Sequence, residues 1–113
     1  MSTEENRILW ASIEDYTGLW ELVWGLSADY PHMSEAGRRA VAERIVRDLL
    51  ARGCIELYER QHQVSGNEEL VPKERRDDLL RDQANWREPS SESVELLVAA
   101  TDFGERLYAE GTR

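Results

Sequence analysis

The residue types that most often perform covalent or metal chemistry are few in this sequence. The two histidines, His32 and His62, lie far apart, and neither has the Glu-x-x-His or Cys-x-x-Cys partner that zinc sites use. Cys54 is the one cysteine and precedes a predicted strand, which favours a buried thiol over a nucleophile with a histidine base. The seven glycines are dispersed, without a phosphate-binding loop. The sequence therefore predicts a protein that is not an enzyme and binds no metal or cofactor.

Charge gives a stronger functional signal than these groups do. The 113 residues carry 23 acidic and 14 basic side chains, a net charge of −9. The segment Ser34–Arg52 alone is net +2, so the rest of the chain is −11. An acidic body repels polyanions on average and attracts basic proteins by complementary potential. We therefore predict an acidic partner-binding face formed by Glu14, Asp15, Glu21 and Asp29, with simple solubility as the alternative explanation of this charge.

Length and composition indicate one globular domain. A chain of 113 residues with 41% hydrophobic residues has enough apolar surface for one core. Its apolar runs are shorter than the roughly 18 residues that a membrane span needs, and its first residues lack the pattern of a signal peptide. A single cysteine is typical of a reducing compartment. We accordingly predict a cytoplasmic protein that does not interact with membranes.

The spacing of apolar residues predicts the elements that position these charges. Arg7–Leu26 reads as two helices divided near Gly18, or as one helix bent there. Core packing of Trp10, Trp20 and Trp24 is favoured over an exposed binding stripe. Ser34–Arg52 reads as a long helix that begins at the N-cap Ser34 and ends before Gly53. Its buried side is expected to carry the apolar stripe Val41, Ile45, Val46, Leu49 and Leu50.

The second half of the chain alternates predicted strands and helices. Cys54–Arg60 and Val94–Ala100 read as strands, and Gln61–Leu70 as a polar loop or hairpin turn. Pro72 suits the first turn of a helix that continues to about Trp86. A closing helix over Asp102–Glu110, capped by Thr101, is expected to turn Phe103, Leu107 and Tyr108 inward.

Two passages resemble the winged helix-turn-helix superfamily. Leu49-Leu-Ala-Arg-Gly-Cys-Ile-Glu-Leu-Tyr is similar to the passage that opens the wing, and Thr101-Asp-Phe-Gly-Glu-Arg-Leu-Tyr is similar to the junction that closes it. With the helices that precede them, these passages cover about half of the chain. The resemblance implies an α+β fold, mostly helical with a small antiparallel β-wing, as a single domain over residues 1–113. Residues 61–92 would then be an insertion between the two wing strands.

The resemblance also implies that Ser34–Arg52 is a recognition helix. Its candidate contact residues are Arg38, Arg39, Glu43 and Arg47, with Glu35 and Ala42 also on the exposed side. Arg38 and Arg39 suit guanine edges or phosphates, and they equally suit a protein interface. Glu35 and Glu43 flank these arginines, and the loop Gln61–Leu70 contains acids but no lysine or arginine. This environment favours a protein ligand over DNA.

Trp86 has two open interpretations: an exposed aromatic anchor for a partner, or the side chain that fixes the insertion to the body. For the whole chain we hold two hypotheses. The first is a non-enzymatic protein that binds or neutralises a basic partner, as an immunity protein, antitoxin or adaptor does. The second is a small DNA-binding transcription regulator that uses Ser34–Arg52, with a homodimer as its expected form.

Overall fold

The computed structural model describes residues 2–61, 66–90 and 93–111. In these ranges it has five α-helices, one 3-10 turn and four strands. The helices are α1 (Thr3–Glu14), α2 (Leu19–Gly25), α3 (Glu35–Ala51), α4 (Lys73–Arg81) and α5 (Asp102–Gly111), and the 3-10 turn is Gln83–Trp86. The strands are β1 (Thr17–Gly18), β2 (Ile55–Gln61), β3 (Glu69–Leu70) and β4 (Val94–Ala100). The predicted α+β class is confirmed.

The strands form one antiparallel sheet in the order β1-β4-β2-β3. In the long central pair, Leu57 lies opposite Val98 and Ile55 opposite Ala100. Alternation along each strand turns these side chains to the same face, where Ile55, Leu57 and Val98 are fully buried in the core. The short strand β1 was not predicted, because its two residues are too few to show a periodic pattern.

The core lies between this face of the sheet and the first three helices. Its largest fully buried side chains are aliphatic and come from α1, α2, the following turn, α3, β2 and α4: Ile8, Leu9, Leu19, Leu26, Ile45, Leu49, Ile55, Leu57 and Leu80. Trp24, Trp10 and Phe103 are 76%, 47% and 48% exposed, so their predicted inward orientation is wrong. Leu107 and Tyr108 do pack against the core, as expected.

Helix α3 confirms the predicted long helix. The Ser34 hydroxyl accepts a hydrogen bond from Gly37 N at 3.1 Å, which satisfies an otherwise free N–H of the first turn. Gly53, with φ of 75°, turns the chain so that Cys54 N donates to Leu49 O at 2.9 Å. Ala42 was expected on the exposed side but is completely buried, because the core-facing stripe is wide enough to include it.

The segment between β2 and β4 differs from the predicted helix in its second half. Pro72 is the N-cap of α4, but α4 ends at Arg81. Asp82 has extended backbone angles, and its carboxylate accepts from Ala84 N at 3.0 Å, which begins the separate 3-10 turn. Val71, Leu80 and Trp86 of this segment are buried and join the main core. Within the described ranges, no helix has both the length and the apolar content needed to cross a membrane.

Candidate partner-binding groove

Helix α2 carries large apolar residues on both of its sides, and only one side faces the core. Leu19, Leu22 and Val23 are buried at spacings of three and four, and Leu26 continues this stripe just after the helix. Trp20 and Trp24, one turn apart, lie on the other side, with Trp20 partly buried and Trp24 largely in solvent. Helix α2 therefore leaves part of its aromatic side exposed to solvent.

Trp20 and Trp24 line an open cavity of about 600 Å³ between α1 and α2. Its other apolar walls are Ile8, Ala11 and Leu22. A second cavity of about 300 Å³ shares both tryptophans and extends towards Glu35 and Arg38 at the start of α3. We call the two cavities together the tryptophan groove.

Carboxylates stand around the larger cavity. Glu14 at the end of α1, Glu21 in α2 and Glu88 after the 3-10 turn all line it. Across the described part of the chain, no arginine or lysine forms an ion pair with any of the three. Arg7 also lines the cavity, but its guanidinium donates to both carboxylate oxygens of Asp29, at 2.6 and 2.9 Å. The rim therefore keeps a net negative charge.

A buried carboxylate holds the Trp20 ring in place. Trp20 Nε1 donates to Glu95 Oε1 at 3.2 Å, and Glu95 in β4 is only 4% exposed. A guanidinium nitrogen of Arg60 lies 3.8 Å from the other Glu95 oxygen. Gly18 makes room for this contact, since a Cβ there would lie 2.6 Å from Glu95 Oε1 and 2.8 Å from Trp20 Nε1. One wall of the groove is thus held by contacts within the protein.

Glu21 lies on the rim, and its pKa is raised above the ordinary value of a glutamate. Partial burial of the carboxylate raises its pKa, and the negative charge of Glu95 adds to the increase. The hydrogen bond from Gly18 N, at 3.4 Å, acts in the opposite direction. The ionised form of Glu21 is therefore incompletely solvated, and a cation in the groove would stabilise it.

Replacing Glu21 with glutamine is expected to raise the free energy of unfolding slightly at pH 7, by up to about 0.5 kcal/mol. Glutamine can still accept from Gly18 N but carries no charge to desolvate. The pKa of Glu21 is raised in the folded state. Below the ordinary pKa of a glutamate the side chain is protonated in both states, so burying it costs no charge desolvation. The destabilisation from its charge appears as the pH rises through the folded-state pKa. Urea unfolding at pH 7 and near pH 4, roughly that ordinary value, should show the gain only at pH 7. A less stable E21Q at pH 7 would contradict this account.

The four predicted acidic residues lie on α1, on α2 and in the segments that follow these two helices. Glu14 and Glu21 lie together on the groove. Asp15 follows α1, where its carboxylate accepts from Tyr16 N at 2.7 Å, and Asp29 is paired with Arg7. Glu88 also lies on the rim and was not predicted from the sequence. The aliphatic stripe Leu19, Leu22, Val23 and Leu26, spaced as one helix face, was the signal that could have placed the tryptophans outside the core.

The predicted contact residues of α3 are mostly engaged within the molecule. Arg38 donates to the carbonyl oxygens of Met33 at 2.5 Å and Tyr30 at 3.4 Å. Arg47 donates to Glu43 at 3.0 Å and to Asp77 of α4 at 2.8 Å. Arg39 has no hydrogen bond or ion pair with a described residue. Of the four residues, Arg39 is the one whose charged group is available to a ligand.

Trp86 is not an exposed aromatic anchor. It is 3% exposed, belongs to the core, and donates from Nε1 to Leu80 O at 2.8 Å. The indole N–H has a partner inside the protein, so the ring is buried without an unsatisfied polar group. This geometry agrees with the other interpretation of Trp86, in which it fixes the segment between β2 and β4 to the body.

The described residues contain no group of three His, Cys, Asp or Glu side chains placed to hold a metal ion. His32 is exposed, and His62 lies outside the described residues. Cys54 is buried, and this burial raises the pKa of its thiol, which lowers the fraction present as a nucleophilic thiolate.

In comparisons with known proteins, no family model, no curated protein and no solved structure matches this chain. The function of the tryptophan groove is therefore inferred from its geometry and charge.

Proposed function

We propose that this chain is a non-enzymatic interaction protein that binds a basic protein partner through the tryptophan groove. Binding of this kind would neutralise or recruit the partner, as an immunity protein, antitoxin or adaptor does. The proposal places the protein in the cytoplasm, where the partner would also be found. On this proposal the acidic charge of the chain attracts the basic partner and also keeps the protein soluble.

One observation carries this proposal: Trp24 is 76% exposed beside carboxylates that form no ion pair with a described residue. Exposed tryptophan is costly to leave in water and is enriched among the residues that dominate binding energy. Carboxylates on the rim of such a site increase the association rate with a basic surface and disfavour acidic competitors.

We also propose a winged-helix arrangement for the fold. Support comes from the order of elements, because α1, β1, α2 and α3 precede β2, and β4 lies between β1 and β2 in the sheet. In this arrangement α3 is the recognition helix and β2 and β4 are the wing strands. The segment with β3, α4 and the 3-10 turn is then an elaboration of the wing, and the Arg47–Asp77 ion pair ties it to α3.

Trp24→Ala is expected to weaken partner binding by about 30-fold or more, as loss of an interface hot spot does. The test immobilises the full chain, captures proteins from cells that naturally express it, and then measures the affinity of the purified stoichiometric partner. Arg39→Ala is the control and should retain the partner. A partner that binds wild type and Trp24→Ala equally well, or no stoichiometric partner at all, would overturn the proposal.

A second candidate function, DNA binding as a homodimer, is favoured by one observation. Arg39 and the exposed Arg44, both in α3, have no ion pair with a described carboxylate. The same purified proteins distinguish the two functions. A DNA-binding regulator would bind duplex DNA at roughly 50 mM salt with an affinity that falls steeply as salt rises. It would lose binding in Arg39→Ala/Arg44→Ala and keep it in Trp24→Ala.

A further inference from the structure

We propose that the tryptophan groove recognises one arginine side chain of the partner, with its guanidinium between the rim carboxylates and the indole rings of Trp20 and Trp24. This inference rests on the proposed function, because it names the chemistry of the group that the partner inserts. It makes the groove a specific site for a cation rather than a general apolar contact.

The indole walls provide the first part of the argument. Both rings line both cavities of the groove, so a side chain entering it passes along them. A guanidinium stacks on an indole face by cation–π attraction, and tryptophan is the best aromatic partner for this. The Trp20 ring is already fixed by its hydrogen bond to Glu95, so this wall needs no ordering when the ligand binds.

The charges provide the second part. Glu14, Glu21 and Glu88 form no ion pair within the described residues, while the one arginine on the larger cavity, Arg7, is held by Asp29. A guanidinium placed among these carboxylates would form the ion pairs that the described arginines, including Arg38 and Arg87 on the smaller cavity, do not form with them. Arginine suits this site better than lysine, because its planar group is less strongly hydrated and donates to carboxylates in pairs.

The size of the larger cavity indicates which residue lies next to the arginine in the partner. A volume of about 600 Å³ exceeds what one guanidinium fills, and Ile8, Ala11 and Leu22 form an apolar wall beside the carboxylates. An aliphatic residue next to the arginine would cover this wall. The inferred recognition element is therefore an arginine flanked by an aliphatic side chain, carried by an otherwise basic partner.

The test uses the full chain and a probe peptide, acetyl-Ala-Leu-Arg-Leu-Ala-amide, followed by NMR titration of the indole N–H signals. Citrulline has nearly the shape of arginine without the charge, so the citrulline peptide is expected to bind at least about tenfold more weakly, which corresponds to about 1.4 kcal/mol. Trp24→Ala and Glu21→Gln should each weaken binding of the arginine peptide. Trp10→Ala, which removes an exposed indole outside the groove, should leave it unchanged.

Equal binding of the arginine and citrulline peptides would overturn the inference, as would the absence of any titration. A lysine peptide that binds as tightly as the arginine peptide would overturn the assignment of a guanidinium. After either result the proposed function is still supported if binding of the captured partner depends on Trp24. If the arginine peptide binds but no partner is captured, the proposed function is wrong and the arginine site is supported.

Discussion

Trp86→Ala is expected to lower the free energy of unfolding by about 3–5 kcal/mol, the range for removing a buried large aromatic side chain. Trp24→Ala, in contrast, is expected to change it by no more than about 0.5 kcal/mol, as for an exposed residue. The two tryptophans differ in burial, at 3% and 76% exposed, and in partners, because only the Trp86 indole donates a hydrogen bond to a described residue. For a domain whose total stability is about 5–15 kcal/mol, the first loss is severe.

Trp86→Phe separates the two components of this loss. Phenylalanine keeps part of the apolar contact but leaves Leu80 O without its donor, which costs about 1–3 kcal/mol for a buried group, beyond any cost of the smaller ring. Urea unfolding followed by circular dichroism gives all three values, with Trp24→Ala as the matched control. If Trp86→Ala is no more destabilised than Trp24→Ala, the assignment of Trp86 to the core is wrong.

This pair of variants also tests the main error of the sequence analysis, which placed Trp24 in the core and left the exposure of Trp86 open. In α2, two apolar stripes overlap: an aliphatic stripe through Leu19, Leu22 and Val23, and an aromatic pair, Trp20 and Trp24. Periodicity predicts the helix but cannot select between two apolar sides of a seven-residue element. The choice is made by the elements that α2 packs against, among them α3, the 3-10 turn and β4.

Other elements were predicted correctly because the residues that begin and end them are adjacent to them in the sequence. The Ser34 cap and the left-handed Gly53 delimit α3 without help from tertiary contacts. Asp82 is a local signal for the end of α4, since a capping aspartate inside a predicted helix can begin a new turn. The two-residue strand β1 has no such signal, because it exists only through its pairing with β4.

The candidate site was predictable only in part. An acidic face near the N-terminus was expected, and Glu14 and Glu21 do lie on the groove. Glu88 reaches the same rim from more than sixty residues away in the chain, so no local spacing could join it to them. The predicted arginines do lie on α3, but Arg38 and Arg47 form hydrogen bonds with groups outside this helix. The sequence of α3 alone does not predict those partners.

Gly104→Ala is expected to be the second strongly destabilising change, by about 3 kcal/mol, at the upper end of the usual cost of overpacking. Gly104 lies in the first turn of α5, which packs directly on the backbone at the junction of α3 and β2. A methyl group on Gly104 would overlap the carbonyl oxygen of Cys54 and lie 2.9 Å from its carbonyl carbon. Both clashing groups are backbone, so no flexible side chain can move aside.

The surrounding hydrogen bonds prevent an easy shift of α5. Thr101 N donates to the same Cys54 oxygen at 3.0 Å, the Thr101 hydroxyl donates to Gly53 O at 2.6 Å, and Gly104 N donates to that hydroxyl at 3.0 Å. Moving the helix away to accommodate a methyl group would lengthen these bonds together. This close approach explains physically why a glycine stands at the start of the closing helix.

Gly111→Ala is the matched control, because Gly111 belongs to the same helix and has open space where its Cβ would lie. Alanine favours helix more than glycine does, so this variant should be as stable as wild type or more stable by up to about 1 kcal/mol. Urea unfolding of the two variants in parallel therefore isolates the contact with Cys54 from helix propensity. A Gly104→Ala protein within about 1 kcal/mol of wild type would show that α5 can move away from the α3–β2 junction at little cost.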